Sequence, residues 1–162
     1  MVGRVVAYHY PSIELLEHTL LASARVRQKR KRITPGQSLM KSILLVDDEP
    51  DLLAAWHLIL SAEGYDVRCA AHGAQALEAI RERLPDLVIT DWMMPVMGGA
   101  ELCRRLRAQP NLAQVPILVH TSAPPPVNEA HAGGNAWDAC LQKPVPMQIF
   151  LTTVGRLCAR TG

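Results

Sequence analysis

Three carboxylates, one hydroxyl and one ammonium stand where strand-like runs stop. Residues 43–46 lead into Asp47 and Asp48, residues 87–90 into Asp91, residues 117–120 into Thr121, and residues 139–142 into Lys143. If these runs lie parallel in one sheet, all five side chains meet at its carboxyl edge. Two like charges about 4 Å apart repel by roughly 4 kcal/mol at an effective dielectric near 20. Folding gains nothing from such crowding unless a cation sits there or one acid takes up a proton. Oxygen donors on loops suit a hard cation, and Mg2+ usually keeps several waters beside one or two carboxylates. A phosphoryl group would then find the cation, the Lys143 ammonium, the Thr121 hydroxyl and loop N–H groups around it. Those are the parts by which phosphoryl transfer is positioned and neutralised. An aspartate carboxylate can itself be the nucleophile and form an aspartyl phosphate.

The elements that must position these residues alternate along the chain. A strand over 42–47 is followed by a helix over 50–62, with Asp48 as its N-cap, Pro50 in its first turn and Gly64 at its left-handed end. Strands follow at 65–70, 86–91, 115–120 and 137–141, and helices at 73–84, 100–108 and 146–160. The closing helix offers Ile149, Phe150, Thr153, Val154 and Leu157 for packing. The prolines at 124–126 and the glycines at 133–134 bracket a short fourth helix within 127–136. Five strand–helix units imply an α/β, doubly wound five-stranded parallel sheet with helices on both faces, which binds ligands beyond the carboxyl ends of its strands.

Composition narrows the class further. The chain has 162 residues, 49% hydrophobic and 20% charged, which suits one soluble domain plus an arm. The net charge of +2 hides an asymmetry, because residues 1–39 hold seven basic residues against Glu14 and Glu17. Residues 1–39 are therefore a basic extension, disordered or partly helical or an over-extended start, and 40–162 is the domain. The cluster from Arg25 to Arg32 lacks helix-turn-helix patterning and aromatic interleaving, which weighs against nucleic-acid binding. No apolar run reaches the length of a membrane span. Cys69, Cys103, Cys140 and Cys158 form no CxxC pair, and a reducing, cytoplasmic setting is expected.

Residues 46–50 (VDDEP), 91–99 (DWMMPVMGG), Thr121 and Lys143-Pro144 resemble the receiver domain of two-component response regulators over about residues 41–160. The resemblance implies the (βα)5 flavodoxin-like fold with strand order 2-1-3-4-5, an order for which the general account of doubly wound folds uses a member of this family as its example. It implies that Asp91 accepts a phosphoryl group from a sensor histidine kinase or a histidine phosphotransfer protein. Mg2+ would be held by Asp48, Asp91, the Met93 backbone carbonyl and, through water, Asp47. Lys143 would pair with Asp91 and then with the phosphoryl oxygens, beside a cis Lys143–Pro144 bond, and Thr121 would swing toward the phosphate.

Two departures stand out. Ser122 follows Thr121 where the family has a smaller residue, and Cys140 stands where it commonly has Tyr or Phe. With the prolines at 124–126, Cys140 points to a reshaped partner surface, and Trp137 is the nearby ring that could substitute. The reading is a stand-alone phosphorelay receiver, not an enzyme beyond its own phosphoryl transfer and dephosphorylation, that signals to an unknown downstream protein or passes the phosphoryl group on. Two alternatives stay open. One is a phosphate-independent binding module that kept the acidic site. The other is an aspartyl-phosphate hydrolase, whose DxDx[TV] signature is missing after the first strand.

Overall fold

Three strands consist of residues buried along their whole length. They are β1 (Ser42–Val46), β3 (Leu87–Thr90) and β4 (Ile117–Thr121). Such continuous burial requires cover on both faces, as in the interior of a parallel sheet. The flanking strands, β2 (Asp66–Ala70) and the strand at Ala139–Gln142, are only partly buried, as edge strands are. The computed structural model describes residues 40–123, 130–131 and 134–161. The expected arm of residues 1–39 lies outside them.

The helices are α1 (Pro50–Ala62), α2 (Gly73–Glu82), α3 (Gly99–Arg107) and α4 (Met147–Cys158). Two short strands, β5 (Ala130–His131) and β6 (Gly134–Asn135), pair antiparallel, so Ala139–Gln142 is β7. The main sheet is parallel throughout, in the order β2-β1-β3-β4-β7. Counting only its own five strands, this is the expected order 2-1-3-4-5.

Side chains alternate across each strand and sort the core into two layers. Leu44, Val46, Val88, Ile117 and Val119 cluster with Ala76, Ile80, Leu102, Cys103 and Leu106, which places α2 and α3 on one face. On the other face His120 packs edge-on against Trp56 of α1 and Phe150 of α4, whose own rings stack at 3.8 Å. Cys103 and Cys158 are buried, as their helical positions suggest, but Cys69 and Cys140 are exposed on the edge strands.

The ends of α1 follow local chemistry. Pro50 opens it, and Gly64 follows it at φ +91°. The Gly64 and Tyr65 amides donate to the Ser61 and Leu60 carbonyls, a Schellman closure that needs a residue tolerant of positive φ.

Three expectations change. Asp48 does not cap α1; the cap position is Glu49, and no side chain closes that end. Ile149 is half exposed, because burial of Phe150, Val154 and Leu157 turns it outward. The expected fourth helix falls partly outside the described residues, and within them 130–131 and 134–135 are paired strands rather than helix. Gly134 itself sits in that ribbon, where its weak helix propensity costs nothing.

Candidate functional site

The parallel ladder continues past the strand ends and sets the site residues in register. The Asp47 amide donates to the Ala70 carbonyl at 3.1 Å, Asp91 to Val46 at 2.9 Å and Lys143 to Thr121 at 2.8 Å. Five segments distant in sequence are thus tied backbone to backbone at one edge, 46–47 to 70 and 91, and 121 to 143. Asp47, Asp91 and Thr121 are buried there, whereas Asp48 is exposed beside them.

The Lys143 ammonium is the hub. It donates to Asp47 Oδ2 at 2.7 Å and lies 3.6 Å from both Asp91 Oδ1 and Glu49 Oε1. Its tightest partner is therefore Asp47, not the expected Asp91. Asp47 is drawn in because its other oxygen accepts from the Glu49 amide at 3.0 Å. Burial raises the Asp47 pKa, and the nearby Asp91 adds to the rise; the hydrogen bonds from Lys143 and Glu49 offset it only in part. Burial opposes the Lys143 charge, but the hydrogen bond and charge of Asp47, with the charges of Asp91 and Glu49, hold its pKa above the usual lysine value.

Two buried oxygens are left without hydrogen bonds. Asp91 Oδ2 accepts from the Met93 amide at 3.2 Å, but Asp91 Oδ1 has no hydrogen bond, and neither has Thr121 Oγ1. An unsatisfied buried polar atom costs about 1–3 kcal/mol, and two such oxygens fall at this edge. Among the described residues no three His, Cys, Asp or Glu side chains stand close enough to form a metal cage. Mg2+ does not need one, since it takes one or two carboxylates and keeps its waters. An exposed carboxylate at Asp48 and an Asp91 oxygen without a hydrogen bond fit that habit.

The loop after Asp91 is held by close backbone approach. The Gly99 amide donates to the Trp92 carbonyl at 3.0 Å, and a Cβ on Gly99 would collide with the Asp91 carbonyl oxygen. The Met97 carbonyl accepts from the Gly73 amide at 2.9 Å, and a Cβ on Gly73 would stand 2.7 Å from Met97 Cγ. Between these ties the Met97 amide donates to the Pro95 carbonyl at 2.8 Å, and Val96 sits at φ +68°. That is a three-residue γ-turn of the rare, strained kind. A β-branched residue held at positive φ costs on the order of 1–3 kcal/mol. Val96 recovers none of it by burial, being 82% exposed.

Sequence reasoning pointed to Asp47, Asp48, Asp91, Thr121 and Lys143 and placed them at one edge. It missed Glu49 as a neighbour of Lys143, and the ties of Gly73 and Gly99. Gly73 was visible only as the start of a helix and Gly99 only as the end of the motif at 91–99; which atoms they admit was not. Trp137 packs edge-on against Trp92 at 5.2 Å, so the ring near position 140 meets the residue that follows Asp91. The Lys143–Pro144 peptide is cis.

Comparison with known proteins agrees with this architecture. Residues 43–154 match the family described as the response regulator receiver domain. The chain is 36% identical over 121 residues to the DNA-binding response regulator MtrA of Mycobacterium tuberculosis, covering 74% of this chain and 52% of that protein. It spans about half or less of the length of the curated relatives it matches. A putative response regulator from Chloroflexus aurantiacus has 35% identity and a TM-score of 0.66, covering 74% of this chain and 98% of that one. The response regulator TrrA of Thermotoga maritima, solved in complex with Mg2+-BeF, has 28% identity and a TM-score of 0.62, covering 73% of this chain and 99% of that one. Fold, strand-end carboxylates and family match converge, and the chain belongs to the receiver domains of two-component response regulators.

Proposed function

We propose that Asp91 is the phosphoacceptor of a phosphorelay, fed by a histidine kinase or a histidine phosphotransfer protein. The observation that carries this reading is the buried Asp91 Oδ1, which accepts no hydrogen bond and lies 3.6 Å from the Lys143 ammonium. Such an oxygen keeps its lone pairs for an incoming phosphorus. The Met93 amide fixes the other oxygen and so sets the direction of attack.

In the transfer, the P–N bond of the donor phosphohistidine breaks as an O–P bond forms to Asp91, and the departing imidazole nitrogen takes a proton from solvent. Asp48, Asp91 and the Met93 carbonyl would hold Mg2+, with Asp47 acting through water; the bound ion supplies charge neutralisation at the phosphoryl oxygens. Lys143 is already cationic, and it shifts its share of charge from Asp47 toward the new phosphate. The unpartnered Thr121 hydroxyl donates to a phosphate oxygen and in doing so gains the bond it lacks. The acyl phosphate exchanges the one carboxylate charge of Asp91 for the roughly two of the phosphoryl group, which Lys143 and the cation would neutralise.

The edge-on packing of Trp92 against Trp137 supports a route from Asp91 to the segment before β7, in which the family's usual ring is replaced by exposed Cys140. The output would be a contact with a downstream protein or onward phosphotransfer, in the cytoplasm. Among the described residues no helix is long and apolar enough to cross a membrane.

Acetyl phosphate with Mg2+ tests the reading directly. The chain should gain the mass of one phosphoryl group, and Asp91→Asn should gain none. A wild-type chain that stays unmodified while still binding a partner would favour a phosphate-independent module instead. Sustained hydrolysis of phosphate esters would favour a hydrolase.

A further inference from the structure

Helices α2 and α3 leave a gap between their C-terminal halves. A groove of about 250 Å3 opens there, floored by Leu77, Ile80 and Leu112 and flanked by Arg81 and Arg105. Leu77 and Arg81 stand one turn apart on α2, and Arg105 and Ala108 one turn apart at the end of α3, so a helix ridge forms each wall. Ala108 lines the groove with only a methyl group.

The floor is apolar and the walls are cationic. Ile80 and Leu112 belong to the core beneath, and Leu77 packs against it. Arg81 is exposed and has no ion pair among the described residues. Arg105 pairs with Glu101 of its own helix, but that carboxylate also serves Arg104. Exposed pairs of this kind hold weakly, so Arg105 is free to turn to another acid. This cationic spot runs against the charge of its domain, because residues 40–162 hold ten Lys and Arg against thirteen Asp and Glu. Its complement is an anion.

Size and charge select which anion. Small-molecule sites run from about 300 to 1,000 Å3 and enclose most of their ligand. This groove is smaller and open to the surface, which suits one or two side chains of a longer chain that continues outside it. A nucleic-acid strand needs a line of phosphate-binding cations, and the net negative domain around the groove repels it. An acidic peptide meets both demands. An apolar side chain covers the floor, and carboxylates on either side of it meet the planar donor forks of Arg81 and Arg105.

We infer that the α2–α3 groove docks an acidic segment of a partner protein, with one apolar side chain of that segment seated between Arg81 and Arg105. The contact uses none of Asp47, Asp48, Asp91, Thr121 or Lys143, so it stands independently of the phosphoacceptor reading.

The test titrates the isotope-labelled full chain with short synthetic peptides and follows its backbone amides by NMR. One set has Leu, Met, Phe or Trp at the centre with Asp and Glu around it. A second set replaces the acids by Lys, and a third replaces the central residue by Ala. Members of the first set should shift the amides of Leu77, Arg81, Arg105 and Leu112, and the other two sets should not. Binding should weaken as salt rises. Arg81→Glu reverses the charge of one wall, and Ala108→Leu fills the groove. Each should weaken the tightest peptide by about tenfold or more, whereas Arg81→Lys should retain most of the affinity. Phosphorylation by acetyl phosphate should stay at the wild-type level in all three variants, because neither position belongs to the acidic edge. If no acidic, apolar-centred peptide shifts those amides, the inference is overturned. Equal affinity for the wild-type chain, Arg81→Glu and Ala108→Leu also overturns it, as does equal binding of the lysine set. A single-stranded oligonucleotide, a small carboxylate or a second copy of the chain that shifts the same amides more strongly would assign the groove to that ligand instead.

Discussion

His120 shows how one residue inside a sheet can govern acid stability. It lies on β4 one position before Thr121 and faces the opposite layer, against Trp56 and Phe150. Burial, with a smaller push from the Lys143 charge, lowers its pKa from 6.5 to about 4. Its neutral form is the folded one. The stability tied to this neutrality is complete above pH 6.5 and is lost as pH falls toward 4, by about 3 kcal/mol in all. Urea titrations from pH 7.5 to 4.5 should show midpoints falling through that window. His120→Phe keeps an aromatic ring against Trp56 and Phe150, and its midpoints should fall less steeply. Equal slopes would mean that another group carries the acid response. Lys143 and Asp47 form the opposite kind of buried group: both charged, 2.7 Å apart, and costly to break because the survivor would be left alone.

At the scale of elements, the site depends on loops as much as on strands. The strand ends deliver Asp47, Asp91, Thr121 and Lys143 through ladder bonds that any parallel sheet would make. The β3–α3 loop instead needs room at Gly99, where a Cβ would meet the Asp91 carbonyl. Gly99→Ala should therefore push the acceptor's own backbone, at a cost of about 1–3 kcal/mol in stability. Phosphorylation by acetyl phosphate should slow in the folded fraction, which a rate measured per folded molecule would reveal. An unchanged rate would mean that the loop absorbs the methyl group elsewhere. Most element bounds were legible in the sequence, because apolar runs of strand length alternate with helical spacing. The region after the prolines was not. Its glycines and prolines were read as bracketing a short helix, and they could not specify which residues would instead pair across a ribbon.

For the whole domain, the end of the sheet opposite the site is stapled by Asp138. It accepts from the Ile117 amide and from Arg107, both at 2.9 Å, and from Arg160 at 2.7 Å. One carboxylate thus joins α3, β4 and the turn after α4. A second staple joins Lys41, Ser42 and Thr161 through Asp86. Asp138→Ala leaves a buried amide and two cations without their acceptor. A loss of about 2–3 kcal/mol is expected in urea denaturation. Because the staple is remote from Asp91, phosphorylation per folded molecule should stay at the wild-type level. A drop there would show the two ends of the sheet to be mechanically linked.

The division between sequence and tertiary structure follows from the range of the forces involved. Periodicity and strand-end chemistry are local, so the chain's own pattern was enough to announce a parallel α/β sheet with Asp47, Asp48, Asp91, Thr121 and Lys143 at one edge. Pairing among those groups is not local. Whether the Lys143 ammonium meets Asp47 or Asp91 is decided by differences of about 1 Å, 2.7 Å against 3.6 Å, between residues far apart in the chain. The same holds for Val96, whose φ of +68° is forced by ties made elsewhere in the loop and on α2 and leaves no mark in its residue type. Those outcomes belong to the packed molecule, because only there do the ladder, the glycine contacts and the competing charges act on the same atoms.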